Sequence, residues 1–549
     1  MEQQPAAKHR RLILLALVSL CGVTFFLGLG RVGLWGPDEP RYAEVAREMF
    51  AGGDYISPRL CGCLWFEKPA LFYWMAAGSY HLLGVCEYAA RLPSALAATV
   101  TVLGLLWVLW RTGLSRVAVA SSLALATTAI FIGFARAATP DMVLTAAVTI
   151  ALLAGYLWTG ASGRSRIVCW VVLSAATGVA VLAKGLVGAA LVVPVFVIHL
   201  AIIGKLKSIG WRECVGGLAI FLAVVSIWYG PVTARHGWEF LDEFFYKHHI
   251  RRYLTNRYHH PAPVYFFPFV ALAGAVPWTF FLVPAVSRLR ALRPRLRAQD
   301  SMLALAWVWV GWPLIFFSFS VTKLPGYLLP VFPALAMIIG AEVERFWSGE
   351  RERTLKAAAW LTALVLAAIS VALIVYTNDE LNGTSGWRTG LIWLPAAVAT
   401  ASVLLLAARR PRAFLLATAA VMASAVVSAV VLLLPVVSES ETLKSFSLET
   451  AAQLQPGERI GFFIKSEYAP VFYSEGRVVC GLGEFDVLNA LNEQTLVSAL
   501  EHDRTLVVIT DERWRPEVER FRLLTAKLIG EKGKTLAFRV SLKNRNGEP

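Results

Sequence analysis

Charged and phenolic side chains crowd one segment near the start of the chain, between two long apolar runs. Its first half contains Asp38, Glu39, Arg41 and Tyr42, and its second half contains Glu67-Lys68. Such groups are costly in hydrocarbon, so their clustering at a membrane border indicates charged chemistry beside lipid. Helix capping explains one acid, but it does not explain the arginine and the tyrosine one turn later. The segment is therefore predicted to bind a ligand or to act in catalysis.

Further polar residues stand at the ends of other apolar runs. Asp141 opens one run, where helix capping is an equal alternative, and Lys184 closes the next run. A cation at that end is suited to binding an anion, although a snorkelling lysine is the plainer alternative. Lys323 and Tyr327 flank a Leu-Pro-Gly turn and could contact or gate a bound anion, unless the turn is only structural.

The segment 233–263 holds most of the histidines of the chain. His248 or His249, together with Glu67, could ligate a divalent metal such as zinc or manganese, because imidazole nitrogen and carboxylate oxygen suit these ions. No His-x-x-x-His spacing is present. Phosphate binding, with Arg252, and a position among lipid headgroups therefore stay open as alternatives.

Composition places all these residues in a membrane protein. The 549 residues are 57% hydrophobic and 16% charged, which is far too apolar for an ordinary soluble domain. The formal net charge of +15 is dispersed in short basic clusters between apolar runs, so it marks topology and predicts no nucleic-acid partner. The seven cysteines show no Cys-x-x-Cys pair, and the nearest pair, Cys61 and Cys63, is expected to be incidental rather than bridged to Cys86 or to a metal.

Apolar runs of spanning length predict about thirteen transmembrane helices. They lie near 12–30, 92–110, 117–133, 142–160, 167–184, 187–203, 214–232, 264–286, 302–319, 327–343, 357–376, 389–408 and 413–436. With this count the basic clusters fall on one side together with the amino terminus, which the positive-inside rule assigns to the cytoplasm. The loops 31–91 and 233–263 and the carboxyl-terminal part then lie on the periplasmic side.

The outer loop 31–91 contains an amphipathic pattern. Apolar Tyr42, Val45, Ala46 and Met49 alternate at helical spacing with polar residues at positions 41, 44, 47 and 48. This spacing predicts a helix that lies in the membrane interface instead of crossing it. We expect 1–436 to form a transmembrane domain that carries juxtamembrane helices on its outer face.

Residues 437–549 have the composition of a small α/β domain. Strands are predicted at 459–464 and 504–510, a helix at 484–501, and a hairpin with a glycine turn at 528–540. No catalytic motif is evident in this part, so it is predicted to be a periplasmic cap or interaction module. The predicted fold is thus mainly α, with a small C-terminal α/β domain.

Acids and cations on the outer side together suggest a lipid phosphate as the ligand. Cations suit the phosphate, and the acids suit a metal, an amine or an acceptor that needs orientation. No glycine-rich loop of the kind that holds nucleotides is present, so no nucleotide cofactor is expected. A transporter is the alternative from another class, but transporters usually hold charged sites at the bilayer midplane, often in repeated halves, and no repeat is visible.

The motifs together resemble those of bacterial transferases that move aminoarabinose to lipid A. The matching stretches are 37–49, 66–69, 249–253 and 323–330. The resemblance implies a GT-C type glycosyltransferase fold related to protein O-mannosyltransferases, with a periplasmic soluble domain. It also implies transfer of 4-amino-4-deoxy-L-arabinose from undecaprenyl phosphate to a lipid A phosphate at the bacterial inner membrane, by a monomer among membrane lipids.

By position, the resemblance implies roles for individual residues. Asp38 is the expected catalytic acid and Asp141 a second catalytic candidate, while Glu67 with His248 or His249 resembles a site for zinc, manganese or magnesium. In the motif around His249 the family has Glu and Phe where this chain has His248 and Tyr253, a departure that weakens the implied metal site. The expected substrate-binding residues are Glu39, Arg41, Tyr42, Lys68, Lys184, Arg252, Lys323 and Tyr327. A related transferase with another sugar, or with a protein or glycan acceptor, is the alternative within the class.

Overall fold

The computed structural model describes residues 7–244, 262–292, 298–350, 352–381, 387–464, 467–479, 489–490, 492–500 and 504–543. The chain divides into two compact units, each with its own core. The first, here called the membrane unit, comprises Met1–Leu29, Glu67–Phe72 and Arg91–Leu433. The second, here called the mixed unit, comprises Gly30–Phe66, Tyr73–Ala90 and Leu434–Pro549. The predicted division into 1–436 and 437–549 stays a prediction.

Long apolar helices dominate the membrane unit, which confirms the predicted polytopic helical protein. Within the described ranges, ten helices can cross a membrane by length and composition. They are Lys8–Phe26, Glu87–Arg111, Asp141–Gly160, Gly163–Lys184, Trp211–Phe244, Gln299–Ser318, Pro325–Trp347, Arg353–Tyr376, Arg388–Ala407 and Pro411–Ser438. Two bent pairs raise the number to twelve, Ser115–Ala126 with Ala129–Ala135 and Phe266–Gly274 with Thr279–Ala291.

Every predicted span has a helical counterpart, but three of them are not single long helices. The segment predicted at 187–203 is the 16-residue helix Val187–Ile202, which is too short to be counted as a span. The one predicted at 264–286 bends by 113°, with Pro277 in the break, where proline has no N–H to continue the helical hydrogen bonds. The one predicted at 117–133 bends by 64° at Thr127 and Thr128. Apolar length alone does not show where a helix breaks.

Two adjacent spans form an antiparallel helix pair. Asp141–Gly160 and Gly163–Lys184 are joined by only two residues, so the second helix must run back along the first. The rings of Trp158 and Trp170 pack 5.3 Å apart near the connection. The first residue of one helix and the last residue of the other consequently meet at the far end of the pair.

The predicted amphipathic helix of the first loop is present as Asp38–Gly52. Two acids in its first turn complement the helix dipole. Gly53 ends the helix in the left-handed conformation, with φ of 69°, and donates its N–H to the carbonyl of Met49. The predicted apolar positions Tyr42, Val45, Ala46 and Met49 are all buried. A second helix, Leu71–Leu83, and a two-strand hairpin, Arg59–Leu60 with Cys63–Leu64, accompany it.

One residue on the predicted polar face of this helix is buried. Glu44 is fully buried and accepts two hydrogen bonds of 2.7 Å from Arg47, one turn later. Both side chains pack against Gly476, which lies in the mixed unit more than 400 positions away. The polar side of the amphipathic pattern is therefore not solvated at Glu44, because a distant segment covers it.

The C-terminal part contains a five-stranded mixed sheet. Its order is Asn489–Ala490, Arg459–Phe463, Thr505–Asp511, Thr535–Leu542 and Leu524–Lys532. The first three strands are parallel and the last two are antiparallel to their neighbours. Along the central strand, Leu506 and Val508 point into one apolar core and Val507 and Ile509 into another, so both faces of the sheet are covered.

Three of the four elements predicted for this part are confirmed. The strands near 459–464 and 504–510 and the hairpin near 528–540 all form. The helix predicted at 484–501 is wrong in part, since Glu493–Leu500 is helical but Asn489–Ala490 is an edge strand beside Phe462 and Phe463. Pairing with a strand distant in the sequence overrides the local preference there. Short helices complete this part at Leu434–Glu441, Lys444–Ala452, Tyr468–Tyr473 and Arg515–Glu519.

Replacing Gly476 by alanine is expected to destabilise the mixed unit. Gly476 has φ of 76°, and a Cβ there would lie 2.5 Å from a guanidinium nitrogen of Arg47. We expect a loss on the order of 3 kcal/mol, because the left-handed backbone and a disturbed buried ion pair both contribute. Gly457→Ala is the control, since it has φ of 82° and open space around it, and it should cost about 1 kcal/mol. Thermal unfolding of the purified protein measures both; equal losses would contradict the role of the Arg47 contact.

Candidate functional site

A buried ion pair closes the antiparallel helix pair of the membrane unit. Asp141 begins the first helix and Lys184 ends the second, and their carboxylate and ammonium groups are hydrogen bonded. Only 12% and 13% of the two side chains are exposed. Ionisable groups held beside apolar helices are costly and are usually functional, so the pair is the strongest candidate for a binding group in this unit.

The Leu-Pro-Gly turn before Tyr327, which was predicted to contact an anion, lies beside this ion pair. The ammonium of Lys184 is 5.0 Å from the centre of the Tyr327 ring, a cation–π contact. The Tyr327 ring packs 5.5 Å from that of Phe317 and 6.5 Å from that of Phe267. The structure therefore brings Asp141, Lys184 and Tyr327 together.

Gly326 is the residue that permits this approach. A Cβ at this position would lie 3.0 Å from Oδ1 of Asp141 and 3.0 Å from the ring of Phe134. The sequence identified the Leu-Pro-Gly turn but not the close contact of its glycine with Asp141. Because the turn and the aspartate are almost 200 positions apart, only the fold reveals that contact.

Two more predicted cations of the membrane unit are buried. Lys68 donates to Oε1 of Glu67 at 2.9 Å, and both residues are less than a tenth exposed. Lys323 donates to the carbonyl of Ser320 at 2.5 Å. Each ammonium is thus held by an acceptor from its own loop, which keeps it in place in a weakly polar environment.

In the mixed unit, Arg41 is surrounded by aromatic rings. Its guanidinium lies 5.2 Å from the centre of the Tyr42 ring, 5.9 Å from Trp65 and 5.4 Å from Tyr468. Guanidinium groups stack well on aromatic faces. Trp65 stands beside the Phe-Glu-Lys motif in the sequence, but nothing in the C-terminal sequence marked Tyr468 as a neighbour of Arg41.

The two acids that precede Arg41 have different environments. The side chain of Asp38 is half exposed, and its Oδ1 accepts a hydrogen bond of 2.5 Å from Nη2 of Arg41. Glu39 is buried, and its Oε2 accepts the N–H of Trp35 at 2.7 Å. Asp38 is consequently the acid that a ligand can reach, while Glu39 holds the loop that leads into the helix. The substrate-binding role predicted for Glu39 stays a prediction.

Three predicted site residues, His248, His249 and Arg252, lie outside the described residues. In the part that the structure describes, no three His, Cys, Asp or Glu side chains gather as a metal site. Of the predicted metal ligands, Glu67 is described, and one of its oxygens is already paired with Lys68. A single paired carboxylate does not make a metal site, so we derive no step through a metal ion. The six described cysteines, including Cys61, Cys63 and Cys86, are free thiols.

The stability of the mixed unit should depend on the protonation of Glu44. Burial raises the pKa of Glu44 from 4.5 to about 7, against the opposing effect of Arg47. Between these pH values the folded protein holds a proton that the unfolded chain releases, so stability falls as pH rises through this window, by on the order of 3 kcal/mol. We expect a higher unfolding temperature at a pH near 4.5 than at a pH above about 7. Glu44→Gln should reduce this difference; an unchanged pH dependence would contradict the assignment.

Comparison with known proteins gives consistent results for sequence and fold. The pattern of the dolichyl-phosphate-mannose-protein mannosyltransferase family matches residues 67–229. The chain is 32% identical over 365 residues to an undecaprenyl phosphate-alpha-4-amino-4-deoxy-L-arabinose arabinosyl transferase of Aeromonas hydrophila, with 65% of each chain covered. It is 34% identical over 340 residues to the protein of the same name from Pseudomonas aeruginosa, with 60% and 59% covered. The chain thus matches just under two thirds of the length of these relatives.

The fold likeness extends over nearly the whole chain. The crystal structure of ArnT from Cupriavidus metallidurans bound to undecaprenyl phosphate superposes with a TM-score of 0.79, covering 97% of this chain and 98% of that one at 22% identity. The helical bundle with its charged helix ends defines a multi-pass membrane protein with an ArnT-like fold. By sequence the chain is similar, over just under two thirds of their length, to undecaprenyl phosphate-aminoarabinose arabinosyl transferases, and by fold it is ArnT-like.

Proposed function

We propose that this protein transfers 4-amino-4-deoxy-L-arabinose from undecaprenyl phosphate to a phosphate group of lipid A. The observation that carries the proposal is the buried Lys184 ammonium, held by Asp141 and the Tyr327 ring at the end of an apolar helix pair. A fixed, poorly solvated cation at a membrane border suits the phosphate of a lipid-linked sugar. The names of the relatives supply the particular sugar and lipid.

The reaction we propose is a direct displacement with inversion. An oxygen of the acceptor phosphate forms a bond to the anomeric carbon of the sugar. The bond from that carbon to the oxygen of undecaprenyl phosphate breaks, and the electron pair leaves with this phosphate. Lys184 and Lys68 would stabilise the leaving phosphate as its negative charge grows, with Lys323 and Tyr327 as further contacts. Arg41 and Arg252 stay predicted substrate-binding residues.

Asp38 would act on the sugar or the acceptor. A phosphate acceptor is already anionic, so it needs little help from a general base. A half-exposed carboxylate can instead orient the amino group of the sugar or stabilise positive charge that develops on the ring in the transition state. The hydrogen bond from Arg41 holds Asp38 in a defined position. A divalent metal held by Glu67 with His248 or His249 stays a prediction.

We place the reaction on the periplasmic side of the bacterial inner membrane. The support is the distribution of basic residues, which collect in the loops on the side of the amino terminus. The polar groups Asp141 and Lys184 then face the periplasm. The lipid-linked sugar, the lipid acceptor and the surrounding membrane lipids are the partners, and the enzyme works as a monomer.

A transfer assay with purified protein tests this function. The protein is offered a panel of undecaprenyl-phosphate sugars, each with lipid A, a peptide or another glycan as acceptor, and the products are identified by mass spectrometry. We expect transfer of the aminoarabinose to lipid A and much slower transfer of neutral pentoses or hexoses. If the protein prefers another sugar as donor or a peptide hydroxyl as acceptor, this proposal is wrong and the protein is a related transferase with that donor or acceptor.

A further inference from the structure

A cavity in the membrane unit lies at the opposite end of the Asp141–Gly160 helix from Asp141. Its volume is about 860 Å³, and it opens between the ends of several helices, bordered by Arg111, residues 159–162 and Lys205. Asp141 and Gly160 mark the two ends of one 20-residue helix, so the cavity is about 30 Å from the Asp141–Lys184 pair at 1.5 Å per residue. The cavity is therefore separate from the site proposed for sugar transfer.

The charged residues that line this cavity are all positive. Arg111, Arg164 and Lys205 line it, and the described lining residues include no aspartate or glutamate. Within the described ranges, Arg111 and Arg164 form no ion pair, whereas nearby Arg166 is paired with Glu213 at 2.8 Å. Lys205 donates to the carbonyl of Thr159. Two exposed guanidinium groups thus remain available for an anion, and guanidinium matches phosphate in shape and charge.

One side of the cavity is apolar and faces outward. Trp107 and Val168 line it and are 53% and 52% exposed, and neighbouring Ile167 is 65% exposed. The Arg111 guanidinium lies 5.5 Å from the Trp107 ring. On membrane helices, exposed apolar side chains contact acyl chains, and tryptophan prefers the headgroup level. The cavity therefore offers cations to a headgroup and an apolar surface to the chains attached to it.

We propose that this cavity binds the phosphodiester headgroup of an anionic glycerophospholipid. Arg111 and Arg164 contact the phosphate, Lys205 adds charge at the rim, and the acyl chains lie along Trp107 and Val168. Basic pockets between helix ends hold anionic headgroups in this way. The volume suits a headgroup with the first part of its chains. This lipid is a bound structural lipid and neither donor nor acceptor, so the inference does not depend on the proposed transfer reaction.

Retention of lipid by the full-length protein tests the proposal. The protein is reconstituted in vesicles of phosphatidylcholine with a minor fraction of phosphatidylglycerol and is then extracted in mild detergent. Native mass spectrometry measures how much lipid stays bound to it. We expect the wild type to retain one phosphatidylglycerol and Arg111→Gln/Arg164→Gln to lose it at least about tenfold more readily, as loss of a charge-assisted contact predicts. Arg410→Gln/Arg412→Gln is the matched control, because it removes two arginines at the start of another helix, neither of which lines the cavity.

The reactivity of the Cys169 thiol is an independent measure of lipid binding, because Cys169 is half-buried and lines the cavity. Its modification by N-ethylmaleimide, located by peptide mass spectrometry, should be slowed by vesicles that contain phosphatidylglycerol but not by phosphatidylcholine vesicles or inorganic phosphate. Equal retention by the Arg111/Arg164 variant, or an equal loss in the control, would overturn the proposal. Protection of Cys169 by inorganic phosphate alone would overturn it as well, because the site would then bind a free anion.

Discussion

Lys184→Met is expected to abolish sugar transfer. The substitution keeps an unbranched side chain of similar length and removes the cation that we propose stabilises the leaving phosphate. Loss of one preorganised electrostatic partner typically lowers kcat roughly 100-fold to 1,000-fold. Lys184→Arg should retain part of the rate, because guanidinium also binds phosphate, although its planar shape fits differently beside Tyr327. Initial rates of transfer from the undecaprenyl-linked sugar measure the effect.

Stability has to be separated from catalysis in this experiment. Lys184→Met alone leaves the buried Asp141 carboxylate without its ammonium, which can destabilise a protein by about 3–5 kcal/mol. The double variant Asp141→Asn/Lys184→Met removes both charges, so we expect it to unfold near the wild-type temperature and still to be inactive. Lys356→Met, at an exposed position, is the control for removing a lysine and should transfer normally. A well-folded double variant with near wild-type rates would refute the role of Lys184.

Asp38→Asn is expected to lower turnover at least about 100-fold, as loss of a positioned catalytic carboxylate does. The amide has the same shape and can still accept a hydrogen bond from Arg41, so folding and binding of undecaprenyl phosphate should change little. Because only the charge is removed, the loss should appear in kcat rather than in KM. Transfer rates over a range of donor concentrations separate the two constants.

Asp54→Asn provides the matched control for Asp38→Asn. Asp54 belongs to the same loop, and its Oδ1 accepts the N–H groups of Ile56 and Ser57 at 3.1 and 3.2 Å, contacts that an asparagine oxygen can keep. Its turnover should equal that of the wild type. If Asp38→Asn turns over at the rate of the Asp54 variant, Asp38 is not catalytic.

Much of the membrane unit could be predicted from the sequence because its physical cause is local. Apolar runs of spanning length form helices wherever the backbone must satisfy its own hydrogen bonds in lipid. The alternation of predicted spans and the side of the basic loops assigned Asp141 and Lys184 to helix ends on the same, outer side. The sheet strands followed from their alternating or continuous apolar pattern.

Contacts between distant segments could not be predicted in this way. Glu44 has the spacing of a solvated residue, yet the approach of Gly476 buries it with Arg47. The sequence marks Gly326 only as a turn glycine, yet the carboxylate of Asp141 can lie close to it because it has no side chain. Tyr468 stands in a segment without any motif and still packs on Arg41.

The sequence by itself thus determined the class of protein, the run of its helices and the residue types that can bind a lipid phosphate. The tertiary structure decided which of these residues touch each other: Lys184 with Asp141 and Tyr327, and Arg41 with Asp38 and its three aromatic rings. The physical reason is that helix formation in a membrane depends on neighbours within a few turns. The pairing of charges and rings depends on side-chain packing between segments that can lie far apart in the sequence, such as those of Arg41 and Tyr468.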